Sequence, residues 1–160
     1  RLPPAGRVAP IYDPPTMNER DADAIRRLIH AYGDAVLARD AVAWGELWTE
    51  DGRWELGLGR VIEGRAAIVD HWRTSIANYQ HVVQLYLSNT ATIDGDTAAG
   101  RAYLVELNVP VDGDRRILVA WYDDTYRRTA AGWRFSGRSL TRLYVGAPDL
   151  AGQFFGPDVA

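Results

Sequence analysis

Between Asp21 and Trp54 the hydrophobic pattern of the chain is reset twice, and few folds accommodate that order. Ile25, Leu28, Ile29, Tyr32 and Val36 recur at helical spacing and form one apolar stripe, with Arg26, Arg27 and Asp34 off it. The helix is expected to begin between Asn18 and Asp23 and to break at Arg39-Asp40. Asp40 is placed to cap a second, short helix with Trp44, Leu47 and Trp48 facing inward. Asp51-Gly52 ends that segment, and a strand is predicted from about Arg53 to Leu58. Gly64 then introduces a third helix, with Ile68 and Trp72 as its core contacts.

From Tyr79 onward the period changes to that of strands. His81 to Ile93, Thr97 to Val111, Arg115 to Thr129 and Trp133 to Val145 read as four strands. They are joined at Asp94-Gly95-Asp96, Asp112-Gly113-Asp114 and Ala130-Ala131-Gly132, all suited to tight turns. Three helices with one early strand, followed by a meander, predict an α+β fold. A curved antiparallel sheet would carry the helices on one face and enclose a pocket. Residues 1–17, with most of the prolines, read as an extended arm; 18–146 form the domain; 147–160 are an irregular tail whose Phe154 and Phe155 are expected to dock.

The strand 115–129 has an unusual parity. Leu118, Ala120, Tyr122 and Asp124 share one face, and Ile117, Val119, Trp121 and Asp123 the other. Helices cover only one face, so the second apolar face predicts contact with another subunit, in a dimer or trimer.

Composition removes several classes of function. A net charge of -3 and a pI near 5.6 leave no electrostatic footprint for nucleic acid. The absence of cysteine excludes disulfides and thiolate chemistry, and three histidines make a His-rich metal site improbable. No apolar run is long enough for a bilayer and no secretory leader is apparent, so the expectation is a cytoplasmic protein. There is no phosphate-cradling glycine motif, no nucleophile elbow and no His-Glu-x-x-His, so no cofactor or metal is expected. Six Trp and eight Tyr are generous for the length and suited to lining an apolar pocket.

The run Ile25–Trp54, Gly64, the histidine opening the long strand and the ending YDDTYRRTAAGWRFSGR resemble the SnoaL-like branch of the NTF2-like superfamily. Within it the likeness is to lyases of the hexachlorocyclohexane dehydrochlorinase and scytalone dehydratase type. The resemblance implies a cone-shaped fold, a cofactor-free active site and a histidine base oriented by an aspartate of the first helix. His81 matches that histidine, Trp54 a pocket tryptophan, Arg138 an arginine of the last strand, and Tyr122 and Ala120 pocket-lining positions. Read without gaps, the aspartate position falls on Leu37, so the borrowed His–Asp pair is incomplete.

The residues themselves supply the alternatives. His81 is the candidate base, since imidazole titrates near neutrality; its bland reading is a strand-end histidine bonded to backbone. Glu106 is the first candidate to orient it and Asp34 the second. Glu106 shares the parity of Ala102, Leu104 and Asn108, whereas Asp34 points away from the apolar stripe and Asp40 is committed to its cap. Arg138 and Tyr32 are candidates to stabilise a leaving group or enolate. Trp48, Trp54, Tyr79, Leu104, Asn108, Ala120, Tyr122, Arg142 and Leu37 complete the expected lining, although aromatic stripes are more often plain core.

The function expected is a cofactor-independent lyase acting on a small, largely apolar aromatic or polycyclic substrate. A polyketide cyclase or isomerase would use the same pocket. A non-catalytic subunit, like the β subunit of ring-hydroxylating dioxygenases, or an inert ligand-binding protein are the remaining readings.

Overall fold

The computed structural model describes residues 17–149 and the backbone of Gln153–Phe154. The proline-rich arm therefore lies outside the described residues, except Met17, which already belongs to a helix. Phe155 lies outside them too.

The first helix, α1 (Met17–Ala38), buries Ile25, Leu28, Ile29, Tyr32, Ala35 and Val36, the stripe read from the sequence. It packs on the sheet through its contacts with the long third and sixth strands. Asp40 caps α2 (Ala41–Glu46): its carboxylate accepts from the amides of Val42 at 3.0 Å and Ala43 at 2.9 Å. Replacing Asp40 with Ala should cost about 1 kcal/mol of stability in urea unfolding, because two orphan helix donors lose their acceptor. A loss under a few tenths would show that the cap contributes nothing net.

Trp48 does not belong to the second helix. It opens β1 (Trp48–Glu55), which starts and ends earlier than the predicted 53–58 strand. Gly57, Leu58 and Gly59 all have positive φ and turn the chain into β2 (Val61–Glu63), a short strand that the sequence pattern did not reveal. Gly64 precedes α3 (Arg65–Ile76), which buries Ile68 and Trp72 as expected.

The meander follows as β3 (Tyr79–Asp94), β4 (Thr97–Pro110), β5 (Arg116–Thr129) and β6 (Gly132–Gly146). Gly95, Gly113 and Gly132 occupy the left-handed region at the three connections. A two-residue β7 (Gln153–Phe154) pairs with β6. The sheet runs β2-β1-β6-β5-β4-β3 and does not close. It is not wholly antiparallel, because β1 lies parallel to β6. Curvature shows in register shifts within β3/β4 and β5/β6 and in the close approach at Gly100, where a Cβ would lie 1.9 Å from the Thr90 carbonyl oxygen.

Alternation along the strands sets what faces the helices. Val82, Gln84 and Tyr86 of β3, Ala102, Leu104, Glu106 and Asn108 of β4, and Leu118, Ala120, Tyr122 and Asp124 of β5 form the inner face, in register across the sheet. Trp44, Trp48 and Phe135 fill the space beneath α1, with Trp44 stacked on Trp72 at 4.9 Å. Asp21 fastens the start of α1 to the far end of the sheet. It receives two 2.7 Å hydrogen bonds from Arg128 and one from the Trp133 indole, and these hold its carboxyl below the ordinary range. On the outer face Trp121 is covered by Arg101 at 4.3 Å, while Leu85, Leu87 and Leu107 are exposed.

Candidate active site

A cavity of about 210 Å³ opens between α1, α3 and the inner face of the sheet. Tyr32 and Val36 come from α1, Trp54 from β1, and His71, Trp72, Ser75 and Ile76 from α3. Tyr79, Val82 and Gln84 of β3, Glu106 of β4, Leu118 and Tyr122 of β5, and Leu140 and Arg142 of β6 complete the wall, with Leu56 and Arg60 at its edge. Of the predicted site residues, the catalytic candidates Tyr32 and Glu106 and the lining residues Trp54, Tyr79, Tyr122 and Arg142 therefore do come together.

The histidine of this cavity is His71, not His81. The β3 register shifts between Tyr79 and His81, so Tyr79 and Val82 both face inward and His81 projects from the outer face, exposed. Among the described residues His81 has no carboxylate partner. His71 lies on α3 in line with Ile68, Trp72 and Ser75, at helical spacings of three, four and seven residues. Its Nε2 is 3.3 Å from the Ser75 hydroxyl, and its ring meets the edge of Trp54 at 5.9 Å. Burial, helped by the positive charge of Arg60, lowers its pKa below that of a free imidazole, so the ring is neutral at neutral pH.

The acid of the cavity is Glu106. One of its oxygens accepts from Gln84 Nε2 at 2.6 Å and the other from Asn108 Nδ2 at 2.8 Å. The network continues inward. The Tyr86 hydroxyl donates to Gln84 Oε1 at 3.3 Å and accepts from Arg138 at 3.1 Å. Arg138 in turn grips Asp124 through Nε at 2.8 Å and a terminal nitrogen at 3.1 Å. Tyr126 donates to the same carboxylate at 2.9 Å.

Five further expectations are corrected by this geometry. Arg138 is not a wall of the cavity: its side chain is wholly buried, paired with Asp124, and stacked against Tyr122 at 4.0 Å and Tyr32 at 4.4 Å. Asp34 and Leu37 are exposed, because α1 turns its Tyr32–Val36 stripe inward; Asp34 lies nearly opposite that stripe and Leu37 about 100° round the helix from Val36. Trp48 is core, fully buried among Tyr32, Trp44 and Phe135. Leu104 and Ala120 are cross-strand partners buried in that core, one inward step deeper than the Glu106–Leu118 pair that reaches the cavity. Asn108 borders an adjoining chamber rather than this one.

The residues assembled here support proton transfer. A neutral imidazole accepts a proton, and the Tyr32 and Tyr122 phenols, raised above their ordinary pKa chiefly by burial, remain protonated donors. Arg142 spends one N–H on the Leu56 carbonyl at 3.0 Å and keeps charge for an anion. Among the described residues no group of three metal-ligating side chains occurs, and no helix is long and apolar enough to cross a membrane.

The chain as a whole is similar to several known proteins. An uncharacterized protein of Mycobacterium tuberculosis is 27% identical over 123 residues, covering 75% of this chain and 84% of its own. A solved NTF2-like protein with a cystatin-like fold from Novosphingobium aromaticivorans is 31% identical, with a TM-score of 0.62 over 82% of this chain and 86% of that one. A hexachlorocyclohexane dehydrochlorinase shares the fold at 20% identity and a TM-score of 0.73, covering 86% of this chain and 94% of its own. Residues 19–139, which run from α1 into β6, match the SnoaL-like domain family. The chain therefore belongs to the SnoaL-like family, in the NTF2-like branch of α+β folds.

Proposed function

We propose that the protein is a cofactor-independent lyase that draws a proton from a small, largely apolar aromatic or polycyclic substrate in the His71 cavity. The observation that carries this reading is the state of His71: a neutral imidazole in a chamber of aromatic walls, anchored by Ser75 and facing the same space as Arg142 and two protonated phenols. In the proposed step a His71 ring nitrogen takes the proton from carbon. The electrons of that C–H bond form the new double bond, and the bond to the leaving group on the neighbouring carbon breaks with its electron pair. Arg142 and Tyr122 stabilise the departing anion, and the imidazolium returns its proton to it or to solvent. Glu106, held by Gln84 and Asn108, orients the substrate. The dehydrochlorinase of the same fold is consistent with elimination chemistry. A cyclase or isomerase would begin with the same proton transfer.

An inert binding pocket is the second reading. It is favoured by one feature: both oxygens of Glu106 are already occupied by amide donors. The exposed leucines of the outer sheet face support a homo-oligomer, either a dimer or a trimer.

Solvent exchange tests the choice. Small aromatic and alicyclic ketones and β-substituted acids, incubated with the protein in deuterium oxide, should gain deuterium at the acidic carbon. No exchange with any of them would favour the inert pocket. The rate should fall as pH drops through the lowered pKa of His71, since protonation removes the base. Arg60→Gln removes the cation that disfavours this protonation, so its acid limb should shift toward the ordinary imidazole value. An unmoved limb would remove Arg60 from the mechanism.

A further inference from the structure

The His71 cavity is one half of a larger space. A second chamber of about 270 Å³ adjoins it and shares Tyr79, Glu106, Leu118, Leu140 and Arg142. The inner half combines rings and aliphatic side chains with the polar groups of His71, Ser75 and Gln84. The outer half is bordered by Asn108, Arg116 and Arg142.

Two features of the outer half are unspent. Arg53, Arg101, Arg127, Arg128 and Arg138 each hold a carboxylate at 3.0 Å or closer. Arg116 and Arg142, and Arg60 at the inner edge, have no carboxylate partner among the described residues. Glu106 does not neutralise them: it forms no ion pair, and its oxygens face the amides of Gln84 and Asn108. Independently, the Oδ1 of Asn108 is buried without any hydrogen-bond donor, in a residue only 8% exposed. A buried acceptor left unmet is costly, and Asn108 borders the chamber, so a ligand donor meets this acceptor once the side chain rotates toward it.

We infer that the paired chambers bind a small aromatic or alicyclic carboxylate bearing a hydroxyl next to its acid group. The ring enters the inner chamber, the carboxylate meets Arg142 and Arg116, and the hydroxyl donates to Asn108 Oδ1. The arrangement uses each of these groups once: two guanidinium forks for an anion, one lone acceptor for one donor, and the aromatic walls of the inner chamber for a ring. The inference takes from the lyase reading only that substrate sits in this cavity; it makes that substrate an amphipathic anion and assigns Arg142 to its carboxylate, which leaves Tyr122 for the departing group.

Mandelate, phenylacetate and mandelamide separate the three contributions, with binding to the full chain measured by titration calorimetry. Mandelate should bind about tenfold or more tightly than mandelamide, which lacks the charge, and more tightly than phenylacetate, which lacks the hydroxyl. Arg116→Met alters an exposed side chain and should weaken mandelate by several-fold without touching mandelamide. Arg142→Met should weaken it further, and the preference for the anion should shrink with added salt. Equal affinity for mandelate and mandelamide, no binding of any of the three, or an Arg116→Met variant that binds mandelate as wild type does would overturn the inference. Binding is read without turnover. Mandelate selectivity with no deuterium exchange would sink the lyase reading alone, and exchange without anion selectivity would sink this inference alone.

Discussion

His71→Ala should lower proton-abstraction turnover by about 10² to 10⁴-fold, while His81→Ala should leave it at the wild-type level. The contrast follows from placement. His71 sits in the cavity wall with a neutral ring beside Trp54 and Ser75, whereas His81 projects from the opposite face of the sheet. His71→Gln keeps a polar group of similar size but has no basic nitrogen, so it should behave like the alanine variant. Ser75→Ala leaves the base in place and removes its anchor. It should cost far less in rate and act mainly on the geometry of proton transfer. The measurement is the initial rate of deuterium incorporation for the four variants at a pH above the lowered His71 value. Loss of exchange in His81→Ala with retention in His71→Ala would reverse the assignment and mean that β3 presents its other face to substrate.

Breaking the Arg138–Asp124 pair should be the most damaging change to stability. Both side chains have no exposed surface, and Asp124 also accepts from Tyr126. Arg138→Met leaves a carboxylate buried without its cation, and Asp124→Leu leaves a guanidinium without its anion. Each should cost about 3–5 kcal/mol. The double variant removes both charges together. It should be much less destabilised than the sum of the singles, since an apolar replacement of a buried pair is often near neutral. Urea unfolding of the four proteins closes the cycle. Additive losses would mean that the two groups act independently and that the network behind the cavity is incidental. Arg138 also holds the Tyr86 hydroxyl, which bonds to Gln84 and through it to Glu106. The singles should therefore loosen the cavity wall as well as the core.

Much of the architecture was legible because periodicity is local. The α1 stripe, the Asp40 cap, Gly64 before α3 and the three glycine-marked connections are all read from neighbouring residues. The short β2 and the early start of β1 were not, because three positive-φ residues and partners elsewhere in the sheet fix them. In the site, Tyr32, Glu106 and Arg142 were legible from helix and strand parity, and Trp54 and Tyr122 from the family resemblance. His71 was missed although its signal was present: it continues the Ile68–Trp72 stripe of α3. His81 matches the family's histidine position, but alternation with the inward Val82 puts it on the outer face, and the register shift before it brings Tyr79 inward instead. Gln84 shares the inner parity of Val82 and Tyr86, and its partnership with Glu106 is a cross-strand pairing that no single segment reveals.

By itself the sequence determined the three helices and the four long strands, which face of each is apolar, and that proton transfer is the chemistry its polar residues support. These depend on spacing and residue type. Only the tertiary structure decided which histidine enters the cavity, that Arg138 is spent on Asp124, and that Arg116 and Arg142 are left unpaired beside Asn108. Those outcomes depend on strand register and on contacts between residues far apart in the chain, where a shift of one residue moves a side chain to the opposite face of the sheet.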